Sequence, residues 1–474
     1  MKIEANTNYA YKLFHYGTIA LGNAEDNGIR VDIEYIQKAK QELTEKIDSK
    51  IKELKKTDFY HNWKEARGGR EPNFNSGPQL QYYLYKYKGF EPKVYTDSGK
   101  EELEKYGYSY KGSTNSEALR RMNISELNDI LQIKKWRQLR DTFLRNFERE
   151  TVRGYMHPFF NLHRARTFRS ASNAPNFQNI PSRDEEAKET TRKALYARPG
   201  HQILEVDFKS LEVAIAACYH QDPTMIEYLQ EGGDMHKDVA EQIFFTGELD
   251  QNKEPGKTLR KATKNSFTFP QFYGDYYGNN THSICEWVGL PQEGRFKKGQ
   301  GIQFFDRNIS DVLRENGIKT YDQFLEHIKD IEYDFWTNRF PVYDKWKEEW
   351  WQEYKEKGYI DMFTGFRCKG VMTKNDVTSY VIQGAAFHCL LWSFIQLERR
   401  LRVEGWNSRP IGQIHDSIIF DVHPDELNDL ISLIKYVTEQ QLPNEWKWIN
   451  IPLSVDAELC GVDQPWAYSE EIKI

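Results

Sequence analysis

The amino-acid sequence reads as an α+β fold, and three observations lead there. Two short runs, Ile203-Leu-Glu-Val-Asp207-Phe208 and Gln413-Ile-His415-Asp416-Ser417-Ile-Ile-Phe420, are built from strand-forming residues, and each carries a single aspartate. From Tyr35 to Lys56, Ile36, Ala39, Leu43, Ile47, Ile51 and Leu54 recur among Lys and Glu with the period of an amphipathic helix. A second helical stretch, Ile130 to Phe147, sets Lys134, Lys135, Arg137, Arg140 and Arg145 around Leu131, Ile133, Leu139 and Leu144. At 474 residues the chain exceeds what one compact core supports, and roughly 100 to 200 residues per domain gives two to four lobes.

Composition narrows the class without naming a partner. A formal net charge of −6 argues against a protein that coats nucleic acid indiscriminately, yet a local basic groove can exist on an acidic body. Cys218, Cys285, Cys368, Cys389 and Cys460 have no paired spacing, so neither a disulfide framework nor a zinc site is expected, and a reducing cytoplasm is the simple inference. The first residues, Met1-Lys-Ile-Glu-Ala-Asn6, lack an apolar signal core. No apolar run approaches the roughly 20 residues that span a bilayer, so no membrane partner is expected.

The chemistry lies in the order of three segments. Carboxylates held on two strands, Asp207 and Asp416, can grip a pair of hard divalent cations, which activate a hydroxyl and stabilise a leaving oxygen in phosphoryl transfer. Between them runs Arg260-Lys-Ala-Thr-Lys264-Asn-Ser-Phe267-Thr-Phe269-Pro270-Gln-Phe-Tyr273-Gly274, preceded by Asp234-Met-His236-Lys-Asp. On a helix, Arg260 and Lys264 project from one face and can meet one polyanion such as a triphosphate. The aromatic rings beyond them can stack on a base or sugar. The aromatic-rich part from Tyr333 to Trp351 reads as core packing.

In the order Asp207, Arg260 to Gly274, His415-Asp416, the chain resembles a family A DNA polymerase, the class of bacterial DNA polymerase I and many phage replicases. Thr167-Phe-Arg169-Ser-Ala-Ser172 and Pro175-Asn176-Phe-Gln178-Asn179-Ile-Pro181 are similar to that family's primer-template-binding segment. Asn73-Phe-Asn-Ser76-Gly-Pro-Gln79-Leu80 and Ser113-Thr-Asn-Ser116-Glu resemble its thumb, and Ile382-Gln383-Gly384 the helix after its fingers. The resemblance implies a right-hand polymerase fold with an antiparallel-sheet palm and helical fingers and thumb. It places a thumb with an N-terminal lead-in at 1–150, palm at 151–210 and 360–474, and fingers at 211–359. Asp207 and Asp416, 209 positions apart, must then meet by folding. Asp32-Ile-Glu34 is not read as an exonuclease Asp-x-Glu, because it leads into the Ile36 helix and resembles the opening of the thumb.

The same resemblance implies a set of site residues. Asp207, Asp416 and the backbone carbonyl of Phe208 are the implied ligands of two Mg²⁺ ions, with Mn²⁺ as a substitute. His415 sits beside the primer terminus. Arg260, Lys264 and His236 hold the incoming deoxyribonucleoside triphosphate, and Lys264 is the candidate general acid for pyrophosphate. Glu212 crowds the ribose 2′ position, and Tyr273 guards the insertion site. Arg169, Asn176 and Gln178 contact the minor groove of primer-template DNA, and Gln383 lies near the template strand.

Two departures from the family pattern matter. Ser417 stands where many relatives carry Glu, so a third carboxylate is not required there. Between Lys264 and Tyr273 there is one residue more than the usual spacing, which a π-bulge can absorb. The ring beside the nucleotide sugar is then Phe269 or Phe267; Phe269 keeps the downstream spacing, and Pro270 should break the helical hydrogen bonding there. A phenylalanine at this position implies poor acceptance of dideoxynucleotides. A single-subunit RNA polymerase and a non-catalytic primer-template-binding module are the alternatives; Glu212 argues against the first and the filled catalytic positions against the second. Since the thumb-like segment starts almost at Met1, no proofreading or 5′-nuclease domain is expected. A separate exonuclease or processivity subunit, and a phage polymerase working in the cytoplasm of an infected bacterial host, complete the expectation.

Overall fold

The computed structural model describes residues 3–182, 184–250, 252–272 and 274–474. At its centre is a five-stranded sheet ordered Arg409–Ile414, Ser417–Val422, Gln202–Phe208, Val455–Leu459, Glu470–Ile472, with every neighbouring pair antiparallel. Both aspartate-bearing segments therefore lie side by side. Ser417–Val422 is buried along its whole length, which explains its apolar Ile418-Ile419-Phe420 run. One expectation is corrected: Asp416 lies in a turn, not in a strand. Ile414 pairs with Ser417, leaving His415-Asp416 as a two-residue hairpin loop in which His415 takes a positive φ of 50°.

The 30-residue helix Lys374–Val403 packs against the sheet, the Thr7–Asn27 helix and the Leu211–His220 helix. It corrects the reading that no apolar run is long enough to span a bilayer, since its most apolar window has a mean hydropathy of 1.3. That window is 78% buried inside the protein, the pattern of a core helix.

A second, separate apolar core is built by residues between Ile47 and Ile133, among them Trp63, Tyr83 and Leu127. The Ile33–Leu54 helix, about 33 Å long at 1.5 Å per residue, gives Ile36, Ala39 and Leu43 to the main core and Ile47 and Leu54 to this second one. Asp32 caps that helix, its side chain accepting from the Tyr35 N–H at 2.9 Å. The basic stretch after Ser125 runs as a helix to Gln138, a π-turn over Leu139–Leu144 and a helix to Glu150. Its cations are partly engaged within the protein: Lys135 pairs with Asp184 at 2.6 Å and Glu186 at 2.8 Å, and Arg140 with Asp141 at 2.8 Å.

In sequence between the halves of the sheet lie the helices Met235–Phe244, Gly256–Thr263, Tyr277–Val288, Tyr321–Asp334 and Pro341–Lys357. Phe335, Phe340, Tyr343, Trp346 and Trp350 are buried here, as core packing requires. The extra residue after Lys264 is taken up as a π-turn, Lys264–Thr268, closed by the Phe269 N–H donating to the Lys264 carbonyl. Pro270 does not end the helix as expected. It takes the second position of the next segment, Phe269–Phe272, directly after the π-turn has already shifted the hydrogen-bond ladder.

Candidate active site

Asp207 closes in on Asp416 because its strand pairs with the strand that begins directly after the Asp416 turn. Ser417 lies opposite Asp207 in the register, and the Phe208 N–H donates to the Asp416 carbonyl at 3.3 Å. Asp207 opens to the solvent of the cleft yet lies at its base, where burial and then the Asp416 charge push its carboxyl up to about 7. Burial likewise raises Asp416, opposed by Arg169 and His415. Asp416 Oδ1 is buried and accepts no hydrogen bond among the described residues, and Arg169 Nη2 approaches it to 3.7 Å. Two carboxylates with raised proton affinity, one with an orphaned oxygen, suit a divalent cation with a preference for oxygen donors. Among the described residues no group of three His, Cys, Asp or Glu side chains is poised as a metal cage, so further donors would come from backbone, substrate and water.

Facing this pair is the basic helix. Lys264 is near enough to Asp207 for each to shift the other, although burial and then Arg260 hold the Lys264 ammonium below its ordinary pKa. Arg260 Nε donates to Asp234 at 2.5 Å, and Asp234 also caps the Met235–Phe244 helix that carries His236. Burial, Arg260 and Lys264 press the His236 imidazole down to about 3, so it is neutral at physiological pH, and its buried Nδ1 has no hydrogen-bond partner among the described residues. Of the two candidate rings, Phe267 is fully buried against Phe335, with ring centroids 5.7 Å apart. Phe269 is partly exposed, 5.1 Å from Lys264 Nζ and 5.3 Å from the His236 ring. Tyr273 lies outside the described residues.

Arg169 links three of the remaining candidates. Its guanidinium donates to Glu212 at 3.0 Å and to Gln383 at 3.4 Å while approaching Asp416. Burial drives Glu212 up to about 7 against the pull of Arg169. Gln178 Nε2 donates to Gln413 Oε1 and Ser170 Oγ, both at 2.6 Å. Gln178 also lines, with Asn176 and His415, a cavity of about 500 Å³ whose other wall is Gln138, Thr142 and Asn146 of the helical stretch from Ser125 to Glu150.

The supporting contacts of three residues were not part of the sequence reading, which took Ser417 only as a missing carboxylate. Ser417 Oγ donates to Asp207 Oδ1 at 3.1 Å. Gln413 accepts from Gln178 and Ser170 and donates to the His415 carbonyl, tying the hairpin to the 170–178 loop. Asp456 lies opposite Asp207 on its other side and pairs with Lys209 at 2.7 Å. Strand register sets Ser417 and Asp456 beside Asp207, while packing sets Gln413 against the 170–178 loop, and neither is written in a single strand.

The chain is 24% identical over 455 residues to DNA polymerase I of Chloroflexus aurantiacus, covering 93% of this chain and 41% of that protein. It is 25% identical to the DNA polymerase of Bacillus phage SP01, covering 80% and 38%. It is also 25% identical to DNA polymerase I of Geobacillus stearothermophilus, covering 92% and 44%. The chain thus spans less than half the length of these curated relatives. A solved structure of the POL domain of Pol1 from M. smegmatis, in complex with DNA primer-template and dNTP, has a similar fold. It matches with a TM-score of 0.69 over 96% of this chain and 70% of that one, at 19% identity, so the fold is the right-hand polymerase fold. The model of DNA polymerase family A matches residues 37–293, more than half of the sequence, and the chain belongs to that family.

Proposed function

We propose that this chain carries out template-directed DNA synthesis, joining a deoxyribonucleoside triphosphate to a primer 3′-hydroxyl with release of pyrophosphate. The observation that carries the reading is the meeting of Asp207 and Asp416 at one end of the sheet, opposite Lys264. Family membership supports it, as does the likeness to a fold solved with primer-template and dNTP.

Asp207, Asp416 and the Phe208 carbonyl would hold two Mg²⁺ ions, or Mn²⁺ in their place, which when bound supply charge neutralisation at the phosphates and a more acidic primer hydroxyl. Arg260, Lys264 and neutral His236 receive the triphosphate, and Arg260 exchanges Asp234 for phosphate oxygens as it does so. Lys264, already below its ordinary pKa, gives up its proton readily to the departing pyrophosphate. Phe269 packs on the sugar, and Glu212 fills the space a ribose 2′-hydroxyl would need. Tyr273 is assigned to the insertion site. Asn176, Gln178 and Arg169 hold the duplex by its minor groove with His415 at the primer end, and Gln383 meets the template.

Primer extension with a magnesium titration tests this. Deoxyribonucleotides should be incorporated over ribonucleotides, and Asp207→Ala or Asp416→Ala should abolish extension while sparing duplex binding. Synthesis retained by either variant would remove the metal assignment, and a preference for ribonucleotides would remove the substrate assignment.

A further inference from the structure

We propose that His388, on the long Lys374–Val403 helix, is a positioning residue for Arg169: it fixes the peptide plane from which Arg169 reaches Glu212, Gln383 and Asp416. This rests on the reading that the chain extends a primer along a template. His388 is fully buried, with Nδ1 2.7 Å from the Thr364 hydroxyl and Nε2 3.2 Å from the Phe168 carbonyl. A carbonyl oxygen only accepts, so Nε2 carries the hydrogen. Burial presses the imidazole down to about 3, so the ring is neutral and its bare Nδ1 accepts from Thr364. One tautomer satisfies both bonds, and its Nε2–H is a donor aimed at the backbone.

The residue it holds is strained. Phe168 has a positive φ of 58°, a conformation disfavoured for a bulky L-residue by roughly 5- to 30-fold. Its N–H donates to the Ala165 carbonyl at 3.1 Å, its ring packs on Phe366 with centroids 5.0 Å apart, and its carbonyl takes the His388 hydrogen. Phe366 also stacks on the His388 ring at 4.1 Å, so the histidine supports the Phe168 ring as well as its backbone. The Phe168 carbonyl belongs to the peptide that joins Phe168 to Arg169. Fixing that plane therefore sets the direction in which the Arg169 side chain leaves the loop.

The helix surface is shaped to receive this loop. Gly384 lies one turn before His388 on the same face. A Cβ there would stand 2.5 Å from the Thr167 carbonyl, so bare backbone is what lets the loop lie against the helix. Gln383, next to it, accepts from Arg169 Nη1 at 3.4 Å. Thr167, Phe168 and Arg169 thus meet the helix one after another, at Gly384, His388 and Gln383. From that seat Arg169 Nη2 donates to Glu212 at 3.0 Å and comes within 3.7 Å of Asp416. With no exposed surface, His388 meets no substrate and acts through Arg169.

The test is a double-mutant cycle between His388 and Arg169 in the whole chain. It is read by primer extension and by fluorescence anisotropy of a primer-template, with melting temperature as the control for folding. The amide of His388→Gln puts an N–H where Nε2–H stands, whereas that of His388→Asn reaches only the place of Nδ1. His388→Asn should lower kcat/KM for deoxyribonucleotides by on the order of tenfold, because nothing then holds the strained peptide. It should also weaken primer-template binding and relax discrimination against ribonucleotides, since Glu212 loses the placed guanidinium. His388→Gln should restore most of all three. In an Arg169→Ala background, His388→Asn should change none of them. Unchanged sugar discrimination in His388→Asn, a His388→Gln no better than His388→Asn, or a His388→Asn loss that persists in full beside Arg169→Ala overturns the proposal. Wild-type protein that extends no primer would instead overturn DNA synthesis, and the anisotropy cycle would then decide the role of His388.

Discussion

Ser417 Oγ donates a 3.1 Å hydrogen bond to Asp207 Oδ1 across the register pair that joins the two acidic segments. That bond is the chief local influence holding the Asp207 carboxylate in its ionised form, against burial and the Asp416 charge. Ser417→Ala should therefore weaken metal binding and move the acid limb of the pH–rate profile upward. A hydrogen bond to a charged group is worth about 1.5 to 3 kcal/mol, so the magnesium midpoint should rise by roughly tenfold or more. Ser417→Thr should restore most of it, and a magnesium titration of the three proteins reads the order.

Without divalent cations, the stability that Asp207 contributes should fall as pH rises. The folded-state value of Asp207, about 7, lies above its ordinary 3.8, so the folded protein binds the proton more tightly than the unfolded chain. That stabilisation is fully present below the ordinary value and is lost as pH climbs through about 7; Glu212, also about 7, adds to the same window. Buried neutral histidines such as His236 act in the opposite sense below about pH 6.5, so the contribution is read as a difference: in chelator from pH 5 to 8, the melting temperature of wild type minus that of Asp207→Asn should fall, and added Mg²⁺ should counter the fall at pH 8. A difference that does not change with pH would remove the electrostatic account of the pair.

Features legible in the sequence are the local ones. Asp207 stood out because an aspartate closes a strand of buried residues, and Arg260 with Lys264 because four residues make one helical turn. The π-turn was legible because the spacing between two anchors, Lys264 and Tyr273, was long by one. The hairpin placement of Asp416 depended on His415 adopting a positive φ, which nothing in the apolar run signals. Asp234 opposite Arg260, Gln413 beneath Gln178 and the split of one helix between two cores are relations between distant segments, set by packing rather than by local pattern.

Removing Glu212 should relax sugar discrimination. Its side chain is held by Arg169 at 3.0 Å and is only 12% exposed, so it is a fixed wall rather than a mobile one. Glu212→Ala opens that space, and a steric filter of a few heavy atoms is worth about 10- to 200-fold in discrimination. The ratio of kcat/KM for deoxyribonucleotide over ribonucleotide should drop by that factor. Because Arg169 loses its nearer carboxylate and still approaches Asp416, primer-template affinity should change far less.

Phe267 and Phe269 make opposite predictions from one substitution. At Phe267 a tyrosine hydroxyl would be driven into the contact with Phe335 in a fully buried place, at a cost of about 1 to 3 kcal/mol for an unsatisfied donor. Phe267→Tyr should lower the melting temperature and leave nucleotide selection alone. At Phe269 the ring is partly exposed beside Lys264 and His236, so the added hydroxyl meets the triphosphate side of the cleft. Phe269→Tyr should keep the melting temperature and raise acceptance of dideoxynucleotides, read as chain termination in a sequencing-type extension. Phe269→Ala should raise KM for the nucleotide by about tenfold, from the loss of about 1 to 3 kcal/mol of aromatic packing. If the two positions exchanged these behaviours, the π-turn would present the other ring to the sugar and the register of the nucleotide helix would have to be reassigned.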